Sequence, residues 1–338
     1  MQNKKTIMAF SAMQIMIFHL WVYIFWGNEL EIFLRQTAFV GVDIFFFLSA
    51  FSLGSREIAG YTSFMEGRFK AVYLKFLIFA VVAYIYKGWS LGYFFQVITG
   101  IDLIKKGGGA FLWFLPAIMV FYAVFPLIQR CDKKNRIVTL LTIIGIWLVV
   151  GLVLTVQKKC GHIFIFWNRI PIFMLGYYCA ASKKVRALFG KGGNGTEHNK
   201  ASDCKERRGN TVSINTIRVI VGMILTVIGL VMAYFFAFKL RLQVPVKDMF
   251  YITVIPVSVG LVLLVGIIPE IKAIQVIGAA TLEIYAVQMI FGYDIANKVL
   301  MISENNGITN LVAIFVVVAV SVTLQSLYKV AMNICNHR

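Results

Sequence analysis

Long runs without a charged residue recur along this chain, and they constrain its fold more than any other feature. No Asp, Glu, Lys or Arg occurs in six stretches of about 20 or more residues. The stretches are 6–28, 107–129, 137–157, 219–238, 249–269 and 305–328. A helix needs about 20 apolar residues to cross the roughly 30 Å hydrocarbon core of a bilayer. The runs therefore predict a polytopic membrane protein rather than a water-soluble domain.

The composition supports this prediction. The 338 residues are 59% hydrophobic and 14% charged, with a mean hydropathy of +0.80. A soluble protein of this size has too little interior to bury so much apolar surface. Its five cysteines are scattered and form no CxxC pair, so neither a disulfide framework nor a thiolate metal site is expected.

We predict an all-α transmembrane helix bundle that forms a single domain over residues 1–338. About ten spans are expected, at 6–26, 38–54, 71–87, 110–129, 136–156, 161–181, 216–238, 249–268, 274–296 and 308–330. The apolar segment 88–101 is too short for a span and is expected to be re-entrant or interfacial. The first span is too long and too aromatic for a signal peptide, which predicts a retained helix.

The basic residues indicate the orientation of the chain. A net charge of +18 suggests nucleic acid as a partner, but the cations cluster in loops between apolar runs, so none is expected. With ten spans, 22 of the 33 Lys and Arg residues fall on the side of the N-terminus. Both termini are therefore predicted to be cytoplasmic. The long basic loop 183–215 is expected to be a flexible cytoplasmic linker near anionic headgroups, with a regulatory or substrate-binding role as the alternative.

Two ionisable residues lie at similar depth inside predicted spans. A rise of 1.5 Å per residue places His19 about 20 Å and Asp43 about 22 Å above the cytoplasmic edge. A titratable side chain in hydrocarbon is costly and marks a candidate functional site. We expect Asp43 to accept a hydrogen bond from one His19 nitrogen, which leaves the other nitrogen as a general base. The alternatives are a structural hydrogen bond between helices and, for Asp43, a cap at the helix entry.

Further charged residues lie in or beside predicted spans. Arg169 cannot lose its proton, so within a span it needs a carboxylate, carbonyl groups or an anionic ligand. Glu283 lies near the middle of the ninth span and is expected to be a structural partner, with a catalytic role as the alternative. Arg68 and Lys70 precede the third span on the cytoplasmic side and suit a phosphate-bearing ligand. Ordinary positive-inside topology is the alternative for these two cations.

Three consecutive glycines, at 107–109, lead into an aromatic run that contains two prolines. Glycine permits a close approach of the backbone, and proline kinks a helix. We therefore predict a close backbone contact at this point and a kinked fourth span. No Walker loop, GxSxG motif or HExxH motif is present in the sequence.

Several segments, taken in order, resemble acyltransferase family 3, a family of multi-span bacterial membrane acyltransferases. The matching segments are IMIFHL at 15–20, VGVDIFFFLSAFSL at 40–53, EGRFKAVYLKF at 66–76, AFLWFLPAIMVFYAVFPLI at 110–128, RIPIFMLGYY at 169–178 and TLEIYAVQM at 281–289. The resemblance covers essentially the whole chain. It implies a multi-pass protein of the bacterial cytoplasmic membrane, in contact with lipid.

The resemblance also implies a reaction. An acyl group, acetyl above all, would pass from cytoplasmic acyl-CoA to a hydroxyl of a cell-surface polysaccharide, peptidoglycan or lipid-linked sugar. The acyl-CoA is then a donor substrate, and no bound cofactor is expected. The implied site consists of His19 with Asp43 as catalytic residues, Arg68 with Lys70 for acyl-CoA, and Arg169, Glu283, Trp113 and Tyr285 in support.

The chain departs from the family pattern at four positions. Met8 stands where members usually carry an arginine eleven residues before the histidine. Ala71 replaces the second arginine of an RxxR pair, and Ala50 replaces the glycine of LSGF. Gln288 stands where members often have a histidine.

Two other classes of function remain alternatives. Intramembrane ionisable residues and broken helices also mark transport paths, so a transporter or flippase for an acyl or sugar-linked substrate is one alternative. The other is an inactive scaffold of a polysaccharide assembly complex, which the missing arginines suggest.

Overall fold

The computed structural model describes residues 3–21, 29–156, 162–190, 204–239 and 253–336, and all regular elements among them are helices. The predicted all-α class is confirmed. In chain order the α-helices are α1 (Lys4–Leu20), α2 (Glu29–Thr37), α3 (Val40–Gly54), α4 (Tyr61–Arg68), α5 (Leu74–Lys87), α6 (Leu91–Ile98), α7 (Ile101–Lys106), α8 (Phe114–Lys134), α9 (Arg136–Val156), α10 (Phe164–Trp167), α11 (Ile170–Ala181), α12 (Lys183–Ala187), α13 (Cys204–Met232), α14 (Ile255–Val265), α15 (Lys272–Ala279), α16 (Thr281–Ser303) and α17 (Asn306–Asn336). Two π-helices, Phe69–Tyr73 and Ala233–Lys239, and the 3-10 turn Gly107–Gly109 complete the set.

Six helical segments among the described residues are long and apolar enough to cross a membrane. They are Glu29–Gly54, Tyr61–Lys87, Phe114–Lys134, Arg136–Leu154, Ile214–Phe236 and Asn306–Val330. A seventh span exists if α15 and α16 are taken together, and these two helices are bent by 62° at the break between them. The count of about ten spans and the cytoplasmic termini stay predictions.

Three of the ten predicted spans, the first, sixth and eighth, do not coincide with any of these segments. Helix α1 has only 17 described residues, and the end of the first predicted span lies outside the described part of the chain. The sixth predicted span is divided between α10 and α11. The eighth is described only from 253 onward and contains the 11-residue α14. The segment 88–101, predicted to be too short to span, forms α6 and the start of α7.

Helix α9 shows most directly that lipid is the solvent of this chain. Only 6% of its most apolar stretch is buried within the protein. Its outward residues include Leu141, Leu152 and Val156, which are 62%, 66% and 73% exposed. A contiguous apolar surface of this length is untenable in water and is stable against hydrocarbon.

The chain divides into two compact units. The first comprises residues 1–55, 172–242 and 252–338, and the second comprises 56–171 and 243–251. Within the basic segment 183–215, helix α12 is followed by residues 191–203, which lie outside the described part of the chain, and α13 begins at Cys204.

Helix α1 is the centre of the first unit. It contacts α2, α3, α14, α15, α16 and α17. Two of these contacts bring backbones together at glycines: Gly41 of α3 lies against the carbonyl of Ser11, and Gly278 of α15 lies against the carbonyl of Lys5. A β-carbon at either position would overlap the carbonyl oxygen. In lipid, where no hydrophobic force drives helices together, such close packing supplies much of the cohesion.

Glycine also permits a close contact in the second unit. Gly107 has a φ of 54°, and a β-carbon there would overlap the carbonyl of His162. The close backbone approach predicted from the glycine run is therefore confirmed at Gly107. Near the other end of α8, the Gln129 amide ties the helix to the segment before α4, donating to the Arg56 carbonyl at 2.9 Å and accepting from the Ile58 amide at 3.1 Å.

The packing of α1 predicts that Gly41→Ala and Gly278→Ala each destabilise the protein. Overpacking of this kind costs about 1–3 kcal/mol. Gly145→Ala in α9 is the matched control, because a β-carbon there meets nothing within 4 Å. Loss of the monodisperse peak on heating in detergent measures the effect. Equal midpoints for the three variants and the wild type would contradict the packing argument.

Candidate active site

His19 lies in the last turn of α1, half-buried, at the border between two faces of the helix. The face toward α3 carries Ser11, Ile15 and Phe18, and the face toward α16 carries Ala12, Met16 and Leu20. Residues four or seven positions apart share a helix face. His19 follows Ile15 by four positions and Ala12 by seven, so it lies at the border between the two faces.

The charged neighbour of His19 is a cation. The guanidinium of Arg35 in α2 lies close enough to interact electrostatically with the imidazole. Helix α2 is held beside the end of α1 by a hydrogen bond of 2.7 Å from Trp21 Nε1 to Oε1 of the buried Glu31. Sequence reasoning missed Arg35 because it lies between two predicted spans, where a basic residue is unremarkable.

Asp43 is fully buried in the first turn of α3. It lies about 200° around the helix from Gly41, and it follows by four residues Phe39, whose ring centroid lies 6.2 Å from that of Phe18 in α1. Phe47 lies one helical turn after Asp43 on the same face of α3. The backbone of Phe47 packs against Gly176 in α11. The pairing of His19 with Asp43 stays a prediction.

Arg68 ends α4 with its guanidinium between two aromatic rings. Its Cζ lies 5.4 Å from the ring centroid of Phe64 and 5.5 Å from that of Tyr122. Cation–π contacts of this kind hold the guanidinium in place. The π-helix Phe69–Tyr73 follows directly, a distortion that is frequent at functional sites.

Lys70, the second predicted donor-binding cation, has different surroundings. Its Nζ forms a 2.6 Å salt bridge with Glu66, and its side chain is 70% exposed. An exposed pair one helical turn apart contributes little to stability and is screened by salt. The structure thus gives the two cations separate environments, one half-buried between rings and one at the surface.

Arg169 and Trp113 are neighbours in the second unit. Arg169 has no exposed surface, and its guanidinium carbon lies 5.9 Å from the ring centroid of Trp113. Trp113 directly precedes α8 and is itself buried. The residue before it, Leu112, has a φ of 47°, a strained conformation for a side chain of this size. The structure therefore brings two predicted supporting residues together.

Three buried polar residues lie in the first half of α16. Glu283 is in the first turn, where the partial positive charge of a helix N-terminus stabilises a carboxylate. This position favours the predicted structural role. Tyr285 and Gln288 are also buried, at 8% and 4% exposure. Gln288 was noted in the sequence only as a departure from a family pattern, and not as a site residue.

The family comparison covers nearly the entire chain. The family model described as an acyltransferase domain matches residues 9–327. The chain belongs to acyltransferase family 3. The protein is therefore a membrane acyltransferase that crosses the bilayer several times. No curated protein and no solved structure matches the chain.

Proposed function

We propose that this acyltransferase moves an acyl group such as acetyl from cytoplasmic acyl-CoA to a hydroxyl of an extracytoplasmic carbohydrate or cell-envelope glycan. One observation carries the proposal: the imidazole of His19 lies half-buried in the last turn of α1, the helix on which the first unit is packed. A group of this kind suits proton transfer from a hydroxyl. No bound cofactor is needed, because the thioester already carries the acyl group in activated form.

The reaction that we propose has one base and two bond changes. The acceptor oxygen attacks the carbonyl carbon of the thioester, while His19 takes the hydroxyl proton and the carbonyl electron pair moves onto oxygen. The tetrahedral intermediate then collapses, the carbon–sulfur bond breaks, and the imidazolium returns its proton to the departing CoA thiolate. General-base help of this kind is worth roughly a hundred- to ten-thousand-fold in rate.

Arg68 is the residue that we propose for the donor. Its guanidinium is held between Phe64 and Tyr122, so little side-chain freedom is lost when it binds a phosphate. Lys70 adds a nearby positive charge, and a phosphate can compete with Glu66 for its ammonium group. Acyl-CoA carries several phosphate charges, which suits cations on the cytoplasmic side.

The buried residues of the site have supporting parts in the proposal. Trp113 and Arg169 pack on one another in the second unit, and we assign them supporting roles there. Asp43, fully buried in α3, is assigned to stabilising the imidazolium that forms on His19. Glu283 and Tyr285 lie in the first two turns of α16 and are assigned to holding that helix.

The proposed location is the bacterial cytoplasmic membrane. The donor is made inside the cell and the acceptor lies outside, so the protein must bring together substrates from the two sides. Membrane lipid surrounds the apolar surface of helices such as α9. The proposed partners are thus lipid, acyl-CoA and a glycan or lipid-linked sugar.

Transport without chemistry is the second candidate, and the 62° bend between α15 and α16 favours it, since broken helices are common in transporters. Transport predicts movement of a substrate in the absence of any acyl donor. Acyl transfer predicts an ester-bound product and a strict requirement for a thioester. An inactive scaffold predicts neither.

Removal of the proposed base gives the central prediction. His19→Ala is expected to lower ester formation by at least a hundredfold, because the acceptor hydroxyl loses its proton acceptor. The measurement is alkali-labile label incorporated from [14C]acetyl-CoA into washed membranes that contain the protein. Equal labelling by a variant that inserts as well as the wild type would exclude His19 as the base.

The donor contacts predict a graded series. Arg68→Met is expected to raise the KM for acetyl-CoA at least tenfold, because a held guanidinium is lost, and Lys70→Met only about two- to threefold, because an exposed charge is screened. Lys87→Met, at the far end of α5, is the control and is expected to leave the KM unchanged. A larger effect at Lys70 than at Arg68 would overturn the assignment of the donor contact.

A further inference from the structure

Gln288 is a buried amide whose hydrogen-bonding capacity is unused. The residue is 4% exposed, and its Nε2 and Oε1 atoms are inaccessible to solvent. Within the part of the chain that the structure describes, neither atom has a hydrogen-bond partner. The amide can donate two hydrogen bonds and accept others, so all of this capacity is free.

An unused amide in such surroundings destabilises the fold. Buried polar groups in native proteins are nearly always hydrogen-bonded, and one that is not carries its full desolvation penalty. A leucine of similar size would fill the same space without this penalty. The position therefore carries a residue that folding alone disfavours, which is typical of a group that serves a bound substrate.

The face of α16 on which Gln288 lies is the face that packs on α1. Ile284, four residues earlier, belongs to the apolar cluster that includes Leu20 of α1. Gly292, four residues later, lies directly against the Leu20 side chain. Residues four apart share a helix face, so Gln288 lies on this face of α16, between two residues that contact α1.

Gln288 also lies close to the level of His19. Gly292 marks the level of Leu20, and Gln288 is one turn before Gly292 along α16. Gly278 lies against Lys5 and Gly292 lies against Leu20, so the chain from α15 to α16 and helix α1 run in the same direction, and Met16 is one turn before Leu20 along α1. His19, three residues after Met16, is within about 5 Å of the level of Gln288 along the helix axes.

We propose that the Gln288 amide is a hydrogen-bonding group of the active site and donates from Nε2 to the thioester oxygen as negative charge develops on it. The inference rests on the proposed acyl transfer and fills the role of oxyanion stabiliser, to which a neutral amide donor is well suited. The free Oε1 accepts from a second hydroxyl of the acceptor, which suits a polyhydroxylated substrate such as a sugar. Both halves of the amide are then satisfied only when substrates are bound.

Measuring both the rate and the thermal stability of a Gln288 variant distinguishes this role from a structural one. Gln288→Leu is expected to lower kcat about a hundredfold, as loss of one oxyanion donor does. The KM for [14C]acetyl-CoA is expected to stay within twofold. The thermal midpoint in detergent is expected to be equal to or above that of the wild type, since an unsatisfied polar group is removed.

Gln275→Leu is the matched control, because this glutamine lies in α15 and donates to Glu270 at 2.7 Å, away from His19. It is expected to keep wild-type kcat. A Gln288→Leu protein that unfolds at lower temperature, or that keeps its rate, would overturn the inference and indicate a structural amide.

The outcomes for the two proposals are distinct. Wild-type membranes that form no ester would refute the proposed function, and this inference with it. Active wild type, inactive His19→Ala and fully active Gln288→Leu would refute the inference alone.

Discussion

The structure of the first unit depends on how closely α1 can approach its neighbours. At Gly41 and Gly278 the absence of a side chain lets helix backbones touch on two sides of α1. In lipid the apolar surface of a helix gains nothing by leaving its surroundings, so cohesion comes from this kind of close packing. The contacts fix the rotation of α1 about its axis as well as its position. The direction in which His19 points is a consequence of that rotation.

Much of the fold follows from the sequence, because spanning length and charge distribution are strong constraints. Six of the ten predicted spans, or seven with the bent pair of α15 and α16, coincide with helices long and apolar enough to cross a membrane, and the glycine run predicted the contact made by Gly107. The depth of a residue within its span also follows from the sequence. The direction of its side chain does not, since it depends on which neighbour packs on which face. Arg68 and Lys70 illustrate the limit: they are two residues apart, yet one lies beside two aromatic rings and the other is exposed in a salt bridge with Glu66.

Neither Arg35 nor Gln288 can be recognised as a site residue from the sequence alone. A cation between two spans is common, so Arg35 carried no signal until α2 was seen to lie beside His19. An uncharged amide in an apolar run also draws no attention, and its significance appears only when its burial and its unused hydrogen bonds are known. Both residues acquire meaning from tertiary contacts. Family motifs cannot supply this information where the chain departs from the family pattern.

The two missing arginines affect different parts of the molecule. Position 8 lies eleven residues before His19 on the same helix, a distance of about 16 Å along the axis. A cation at Met8 would therefore not act directly on the imidazole, and Arg35 does not replace it but adds a charge at the other end of α1.

Position 71 lies inside the π-helix that follows Arg68, and Ala71 is exposed. In an α-helix, residues three apart share a face, and a π-helix changes that relation because it has more residues per turn. The π-helix therefore changes the spatial relation between positions 68 and 71 from the one that an RxxR pair has on a regular α-helix.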